Sequence, residues 1–202
     1  MDWTTESAAL RARRGLADYE PLQPFVAERS LENSVWYEGQ LMTVYANGGP
    51  VENSCCVWEG SLPEGIGPPP HIHYYEHEVF FVIEGGLTVW VEGEPFEVGR
   101  DSLMFVPAGR IHWFISTAPL TRTLSFTVTA NGDFQSVNDN VALFKFIGRP
   151  AESMTLPPEI EVKPMPSPTE IARVVEYTNS DMPDLERLGW RRSFRDTEGE
   201  TT

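Results

Sequence analysis

Short apolar runs separated by turn residues dominate the middle of the chain. From about residue 31 to residue 129, β-branched and aromatic segments alternate with Gly, Pro and acidic positions. This spacing is typical of an all-β sandwich or barrel, because each run is long enough for one strand and each break favours a turn. The clearest breaks are EGG at 84–86 and EGEP at 92–95, which predict hairpins. The predicted strands are 35–46, 54–59, 71–73, 79–84, 87–92, 96–98, 103–106, 112–116 and 122–129.

The two ends of the chain have a different texture. Residues 1–30 form a predicted N-terminal extension, with good helix formers from Ala8 to Arg14 that end at Gly15. Residues 31–150 form the predicted β-barrel domain. Residues 151–202 form a C-terminal extension, in which a proline-rich passage precedes two predicted short helices at 169–177 and 184–191. Since 202 residues are enough for one domain and no internal repeat is visible, we expect a single barrel.

The charge balance excludes several classes of partner. Thirty acidic residues against 15 basic ones give a net charge of −15, which would repel nucleic-acid phosphates and anionic lipid surfaces. No apolar run approaches the roughly 20 residues that a membrane helix needs, and the first residues do not resemble a basic signal peptide. We therefore expect no nucleic-acid or membrane partner, and a cytoplasmic location.

Three histidines and one glutamate are placed where strands can bring them together. His71 and His73 are two positions apart, so on an extended strand both imidazoles lie on the same face. Glu78 has the wrong parity to continue that strand, which predicts a turn through 74–77 and a new strand at 79. His112 lies on a later strand that antiparallel packing can place beside the others. Three imidazoles and a carboxylate suit a divalent transition metal.

Histidines near a β-core are more often hydrogen-bonded structural residues than metal ligands. His77 is interpreted as a surface or outer-sphere residue. Glu76 is interpreted as a solvated turn residue in preference to a catalytic base. The spacing of the other residues distinguishes them from this ordinary case. Gly65 is followed after five residues by HIH at 71–73, then after four by Glu78 and after six by Gly85.

A second group of residues follows in order, with PAG at 107–109 and then His112 after two more residues. Together the two groups resemble the signature motifs of the cupin superfamily, G(X)5HXH(X)3–4E(X)6G and G(X)5PXG(X)2H(X)3N. The first motif matches at every fixed position. The second departs twice, because seven residues separate Gly99 from the proline and Ser116 replaces the final asparagine. Asp101 is expected to take the turn role in the longer loop.

The resemblance implies a cupin double-stranded β-helix, or jelly-roll barrel, over about residues 35–130. It also implies one divalent metal bound by His71, His73, Glu78 and His112. The stretch GIGPPPHIHYYEHEVFFVIEGG looks particularly like single-domain cupins similar to quercetin 2,3-dioxygenase. This implies a metal-dependent dioxygenase that uses O2 to cleave a flavonol-like or other polyphenolic or enolic molecule. Glu78 would be both ligand and general base, with a pKa raised by apolar surroundings.

Strand parity identifies candidate walls of a substrate pocket. Phe80 shares the face of Glu78, Phe114 shares that of His112, and Tyr75 would follow His73 if that strand ran on. Aromatic walls suit an aromatic or polyketide-like substrate, although ordinary barrel packing explains any one of them as well. The opposite face of the 79–84 strand is also apolar, so we expect a homodimer partner or the terminal segments to cover it.

Two other functions remain open at this point. A non-redox isomerase, cyclase or lyase could use the same four ligands to polarise a carbonyl of a polyketide-like substrate. A cupin that binds a small molecule without turnover is the third reading, although it has no need of a complete metal shell. The ligand set accepts Fe, Mn, Ni or Cu, which fit oxygen chemistry, and also Zn or Co.

Overall fold

The computed structural model describes residues 2–51, 54–130, 144, 148–158 and 180–190. Strands dominate these residues, and the all-β prediction is confirmed. Within this part of the chain one helix, α1, spans Trp3–Arg13, and short 3-10 turns occupy Leu31–Asn33 and Gly49–Val51. The strands are β1 (Ser34–Tyr37), β2 (Gln40–Ala46), β3 (Cys55–Pro63), β4 (Ile72–His73), β5 (Glu76–Glu84), β6 (Gly86–Val91), β7 (Glu94–Gly99), β8 (Leu103–Val106), β9 (His112–Ser116), β10 (Leu120–Thr129), β11 (Arg149–Pro150) and β12 (Ser180–Asp181).

The strands of the described residues form three antiparallel sheets. The largest has the order β11-β1-β2-β3-β10-β5-β8, the second β7-β6-β9, and the third pairs β12 with β4. A bridge between His71 and His112 connects the entry to β4 with the start of β9. In this bridge each backbone N–H donates to the other residue's carbonyl, at 2.9 and 2.8 Å. Two candidate ligands are thus fixed side by side by the backbone alone.

An apolar core lies between the seven-stranded and three-stranded sheets. Its buried members are Phe80, Val82, Leu87, Val89, Val98 and Val106. Because side chains alternate along a strand, the same inner face of β5 also carries Glu76 and Glu78. The fold therefore holds two carboxyl groups at the end of the barrel interior.

The hairpin predicted at EGG is wrong, because β5 and β6 belong to different sheets and do not pair with each other. The hairpin predicted at EGEP is confirmed by the antiparallel pairing of β6 with β7. The turn at EGG, which connects the two sheets, requires glycine. Gly85 has a φ of 75°, and a Cβ there would lie 2.6 Å from the carbonyl oxygen of Leu120. Asp101 takes the left-handed turn conformation expected of it, with a φ of 61°. The single strand expected at 35–46 is wrong, because Glu38 and Gly39 adopt φ values of 47° and 80°. Two successive left-handed residues form a tight hairpin turn, which divides this stretch into β1 and β2.

The N-terminal helix begins earlier than expected. Asp2 caps it by accepting hydrogen bonds from the N–H groups of Thr4 and Thr5, at 3.1 and 3.2 Å. Gly15 follows the helix in the left-handed conformation, as expected. No side chain of this helix is buried.

The C-terminal extension differs from its prediction. The helix expected at 184–191 is wrong for 184–190, which form a single hydrogen-bonded turn before Gly189 takes a left-handed φ of 66°. The helix expected at 169–177 lies outside the described residues. Ala151 packs with Trp36 and Leu41, so the chain near residue 150 contacts the barrel. The domain boundaries at 30 and 150 stay predictions. None of the helices in the described residues has both the length and the hydropathy of a membrane span.

Candidate metal centre

The structure brings together the four residues that the sequence predicts as metal ligands. His71 precedes β4, His73 ends β4, Glu78 lies in β5 and His112 begins β9. One potential ligand atom from each residue lies within 4.8 Å of all the others. His73, Glu78 and His112 are buried, and the His71 side chain is 17% exposed. The side of the cluster nearest solvent is therefore the His71 side.

All three imidazoles point their Nε2 atoms toward the same oxygen, Oε2 of Glu78. The distance is 2.8 Å from His112, 3.5 Å from His73 and 3.9 Å from His71. β5 supplies this oxygen from the seven-stranded sheet, while β4, the residue before it and β9 supply the imidazoles. The ring centroid of His71 lies 4.4 Å from that of His112 and 5.0 Å from that of His73.

The other ring nitrogen of each histidine has its own partner. Nδ1 of His71 lies 2.9 Å from the carbonyl oxygen of Pro69, and Nδ1 of His112 lies 2.9 Å from that of Arg110. Since a carbonyl can only accept, both Nδ1 atoms must carry the hydrogen and donate. Nδ1 of His73 lies 2.8 Å from the hydroxyl oxygen of Ser180. These bonds leave Nε2 as the ligand atom, and such outer contacts are the usual support of metal-binding imidazoles.

This donor set fits a cation. In a neutral His112, the lone pair of Nε2 faces a carboxylate oxygen of Glu78 at 2.8 Å. Two acceptors at that distance are favourable only with a proton or a metal ion between them. The set of three imidazoles and one carboxylate matches the ligand preference of divalent transition metals and does not select one of them.

The charge states of His71 and Glu78 also suit metal binding. Burial, with the neighbouring His112, lowers the pKa of His71 to about 4, so that ring is neutral at pH 7. Burial alone would raise the pKa of Glu78, but its contacts with the imidazoles of His112, His71 and His73 outweigh burial and hold the pKa well below the ordinary range. The raised pKa expected for Glu78 is therefore wrong. The cause is its contact with three imidazoles, where an apolar pocket was expected.

Glu76 is the largest departure from the sequence-based expectation. It is 1% exposed, so it is not a solvated turn residue. The new strand begins at Glu76, three residues before the predicted start, which places this side chain on the inner face with Glu78. Among the described residues, neither carboxylate oxygen has a hydrogen-bond partner. Burial raises the pKa of Glu76 to about 7.

The three predicted pocket residues are divided between the interior and the surface. Phe80 and Phe114 lie in the apolar core with ring centroids 4.9 Å apart in an edge-to-face arrangement. Tyr75 is 49% exposed on the turn between β4 and β5, because β4 ends at His73. Tyr75 was expected to follow His73 only if the strand continued beyond His73, which it does not. The role of Tyr75 in substrate binding stays a prediction.

His77 and Ser116 have structural contacts. Nδ1 of His77 accepts a hydrogen bond from the N–H of Ala108 at 3.0 Å, on the opposite face of β5 from Glu78. Ser116, which stands where the motif has asparagine, donates to the carbonyl of Pro63 and accepts from the N–H of Ile66. Both residues stabilise loops beside the centre.

Sequence reasoning missed two residues of the site. Glu76 could have been found by extending the alternation of Phe80 and Glu78 two residues further back along the same strand. Ser180 lies 107 residues from His73 and carries no local signal.

Comparison with known proteins agrees with this architecture. Residues 58–123 match the family model described as a cupin domain. A quercetin 2,3-dioxygenase from Bacillus subtilis (strain 168) is 24% identical over 136 residues, which cover 67% of this chain. The match spans only 38% of the length of that relative.

Solved structures with similar folds have low sequence identity to this chain. An RmlC-like cupin from Shewanella frigidimarina NCIMB 400 is 16% identical, with a TM-score of 0.45, over 56% of this chain and 99% of that one. A nucleoside dehydratase from Streptomyces is 16% identical, with a TM-score of 0.43, over 55% of this chain and 87% of that one.

Proposed function

We propose that this chain, a cupin superfamily protein resembling the quercetinase-like members, is a metal-dependent dioxygenase. Its substrate would be a flavonol-like or other polyphenolic or enolic small molecule. Both atoms of O2 would enter the cleaved product, so the electron-rich substrate supplies the electrons and no separate reductant is needed. The match to a quercetin 2,3-dioxygenase favours this reaction class over other cupin chemistries.

One observation carries the proposal: three imidazole Nε2 atoms converge on one carboxylate oxygen in a buried site. A divalent metal bound there would act as a Lewis acid and as a template for the substrate hydroxyl. His71, His73, Glu78 and His112 would hold it. Iron, manganese, nickel or copper suit the oxygen chemistry.

The protein's own groups would prepare the substrate. The substrate would approach on the His71 side, since that side chain is the most exposed of the four. Phe80 and Phe114 would contact a flat aromatic ring through the apolar end of the site. Glu78 is the proposed acceptor of the substrate's hydroxyl proton. Its lowered pKa keeps it ionised at neutral pH and makes it a weak base, so the transfer requires the hydroxyl to be acidified.

A homodimer is also proposed. β8 lies at one edge of the seven-stranded sheet, and its outward side chains Leu103 and Phe105 are 58% and 48% exposed. A second copy packed on this edge would cover both side chains. Sedimentation equilibrium of the protein and of Leu103→Glu tests this directly. Equal monomer masses for both would contradict it.

The test of the proposed reaction is oxygen uptake with a panel of flavonols and related enols, using protein that has been loaded with each metal in turn. We expect uptake and substrate loss in a 1:1 ratio, and neither without the metal. Ser34→Ala changes a buried residue away from the site and is the control for effects of purification and metal loading. Substrate conversion that proceeds equally without oxygen would contradict the dioxygenase and indicate non-redox chemistry. Binding without conversion under all metals would indicate a binding protein.

A further inference from the structure

The outer hydrogen bonds of the three imidazoles do not follow one pattern. His71 and His112 each donate from Nδ1 to the carbonyl two residues earlier, at Pro69 and Arg110. The corresponding carbonyl for His73 belongs to His71, and it already accepts the N–H of His112 at 2.8 Å. His73 instead takes its Nδ1 partner from elsewhere in the chain.

Ser180 supplies that partner from the C-terminal extension. Its hydroxyl oxygen lies 2.8 Å from Nδ1 of His73, and the residue is 5% exposed. Oε2 of Glu76 lies 3.9 Å from the same Nδ1, which is beyond hydrogen-bond distance. The partner of His73 Nδ1 is thus a side-chain hydroxyl and not a backbone carbonyl of the barrel.

The segment that carries Ser180 is attached to the ligand-bearing strand. In the antiparallel pair of β12 and β4, Ser180 lies opposite His73 and Asp181 lies opposite Ile72. Tyr74 donates its hydroxyl to Oδ2 of Asp181 at 3.3 Å. Backbone pairing and a side-chain hydrogen bond thus hold the serine at a fixed distance from the imidazole.

We propose that Ser180 is a positioning residue of the metal centre, through which the C-terminal extension fixes the ring plane and tautomer of His73. The hydroxyl accepts the Nδ1 hydrogen, which leaves the Nε2 lone pair directed at the position facing Glu78. The proposal rests on the metal centre of the proposed function. It assigns to this extension a role in the site that lies 107 residues earlier in the chain.

Outer-sphere partners of this kind commonly change metal affinity by about 10-fold to 100-fold. Ser180→Ala should weaken the binding of Co2+ or Zn2+ by that factor, measured by competition with a chelating dye. Ser180→Thr keeps a hydroxyl and should restore affinity to within about threefold of the unaltered protein. Ser34→Ala is the matched control, because Ser34 is also buried and its hydroxyl bonds to Ser30 and Thr43 away from the site.

A second readout does not need metal. The 15N resonances of the His73 ring in metal-free protein report which nitrogen carries the hydrogen. We expect a single Nδ1–H tautomer in the unaltered protein and a mixture in Ser180→Ala, with His112 unchanged in both.

The outcomes separate the two proposals. Unaltered metal affinity and an unaltered His73 tautomer in Ser180→Ala would overturn the role of Ser180 alone. Equal losses in Ser180→Ala and Ser180→Thr would also overturn it, because they would indicate a packing effect. Failure of the unaltered protein to bind any divalent metal would contradict the proposed function and the metal-positioning role together. The tautomer measurement would then still show whether the hydroxyl orients the ring.

Discussion

Replacing Glu76 with Gln should remove part of the pH dependence of folding stability. Glu76 is 1% exposed, and burial raises its pKa to about 7 from an ordinary value of 4.5. The folded state therefore binds this proton more tightly than the unfolded chain. The resulting stabilisation is fully present below pH 4.5 and is lost as the pH rises through about 7. At about 1.4 kcal/mol per pKa unit, the loss is of the order of 3 kcal/mol.

The assay is urea unfolding, followed by tryptophan fluorescence, of chelator-treated protein at pH 4.5 and pH 8. Between these values, the free energy of unfolding of the unaltered protein should fall by about 3 kcal/mol relative to that of Glu76→Gln. The pKa of His71 is lowered to about 4 from an ordinary value of 6.5, so its contribution to stability changes with pH in the opposite direction. That change is the same in both proteins and cancels when they are compared. The buried amide introduced by Glu76→Gln lowers the free energy of unfolding by an amount that does not depend on pH. It therefore cancels when the values at the two pH values are subtracted.

Glu84→Gln is the matched control, because Glu84 ends the same strand with its side chain exposed. It should leave the pH dependence unchanged. Parallel stability curves for the unaltered protein and Glu76→Gln would refute the reasoning, since they would mean that Glu76 is solvated or paired in solution.

Three further changes have expected outcomes. Gly67→Ala would place a Cβ 1.8 Å from the carbonyl oxygen of Phe114. Thermal unfolding should therefore show a loss of stability of about 1–3 kcal/mol. Gly99→Ala is the control and should not lose stability, because a Cβ at Gly99 would have no atom within 4 Å. His112→Ala should lose most of the bound metal yet keep the far-ultraviolet circular dichroism of the barrel; full metal content would argue against its role as a ligand. Glu78→Gln should reduce turnover more than metal affinity, and unchanged turnover would exclude Glu78 as the proton acceptor.

The sequence predicts the parts of this molecule that depend on local spacing. The HIH triplet, Glu78 and the later histidine predict a cluster because strand alternation and hairpin turns are local rules. The hairpin within 35–46 was missed because Glu38 takes a left-handed conformation that glutamate rarely adopts.

The missed features of the centre depend on contacts between distant segments. The pKa of Glu78 depends on three imidazoles from other strands, so the apolar neighbours of Glu78 in sequence suggested the wrong sign. Glu76 is buried because β5 begins earlier than its apolar run. Ser180 reaches His73 through a pairing of two-residue strands, which has no recognisable pattern in either segment.

The most direct test of the metal centre is elemental analysis of protein purified without chelators or a histidine tag. The His73→Ala variant, purified in parallel, gives the background. We predict about one equivalent of iron, manganese, nickel or copper per chain in the unaltered protein and almost none in the variant. Metal content no higher than that of the variant, even after reconstitution with each of these ions, would contradict the account.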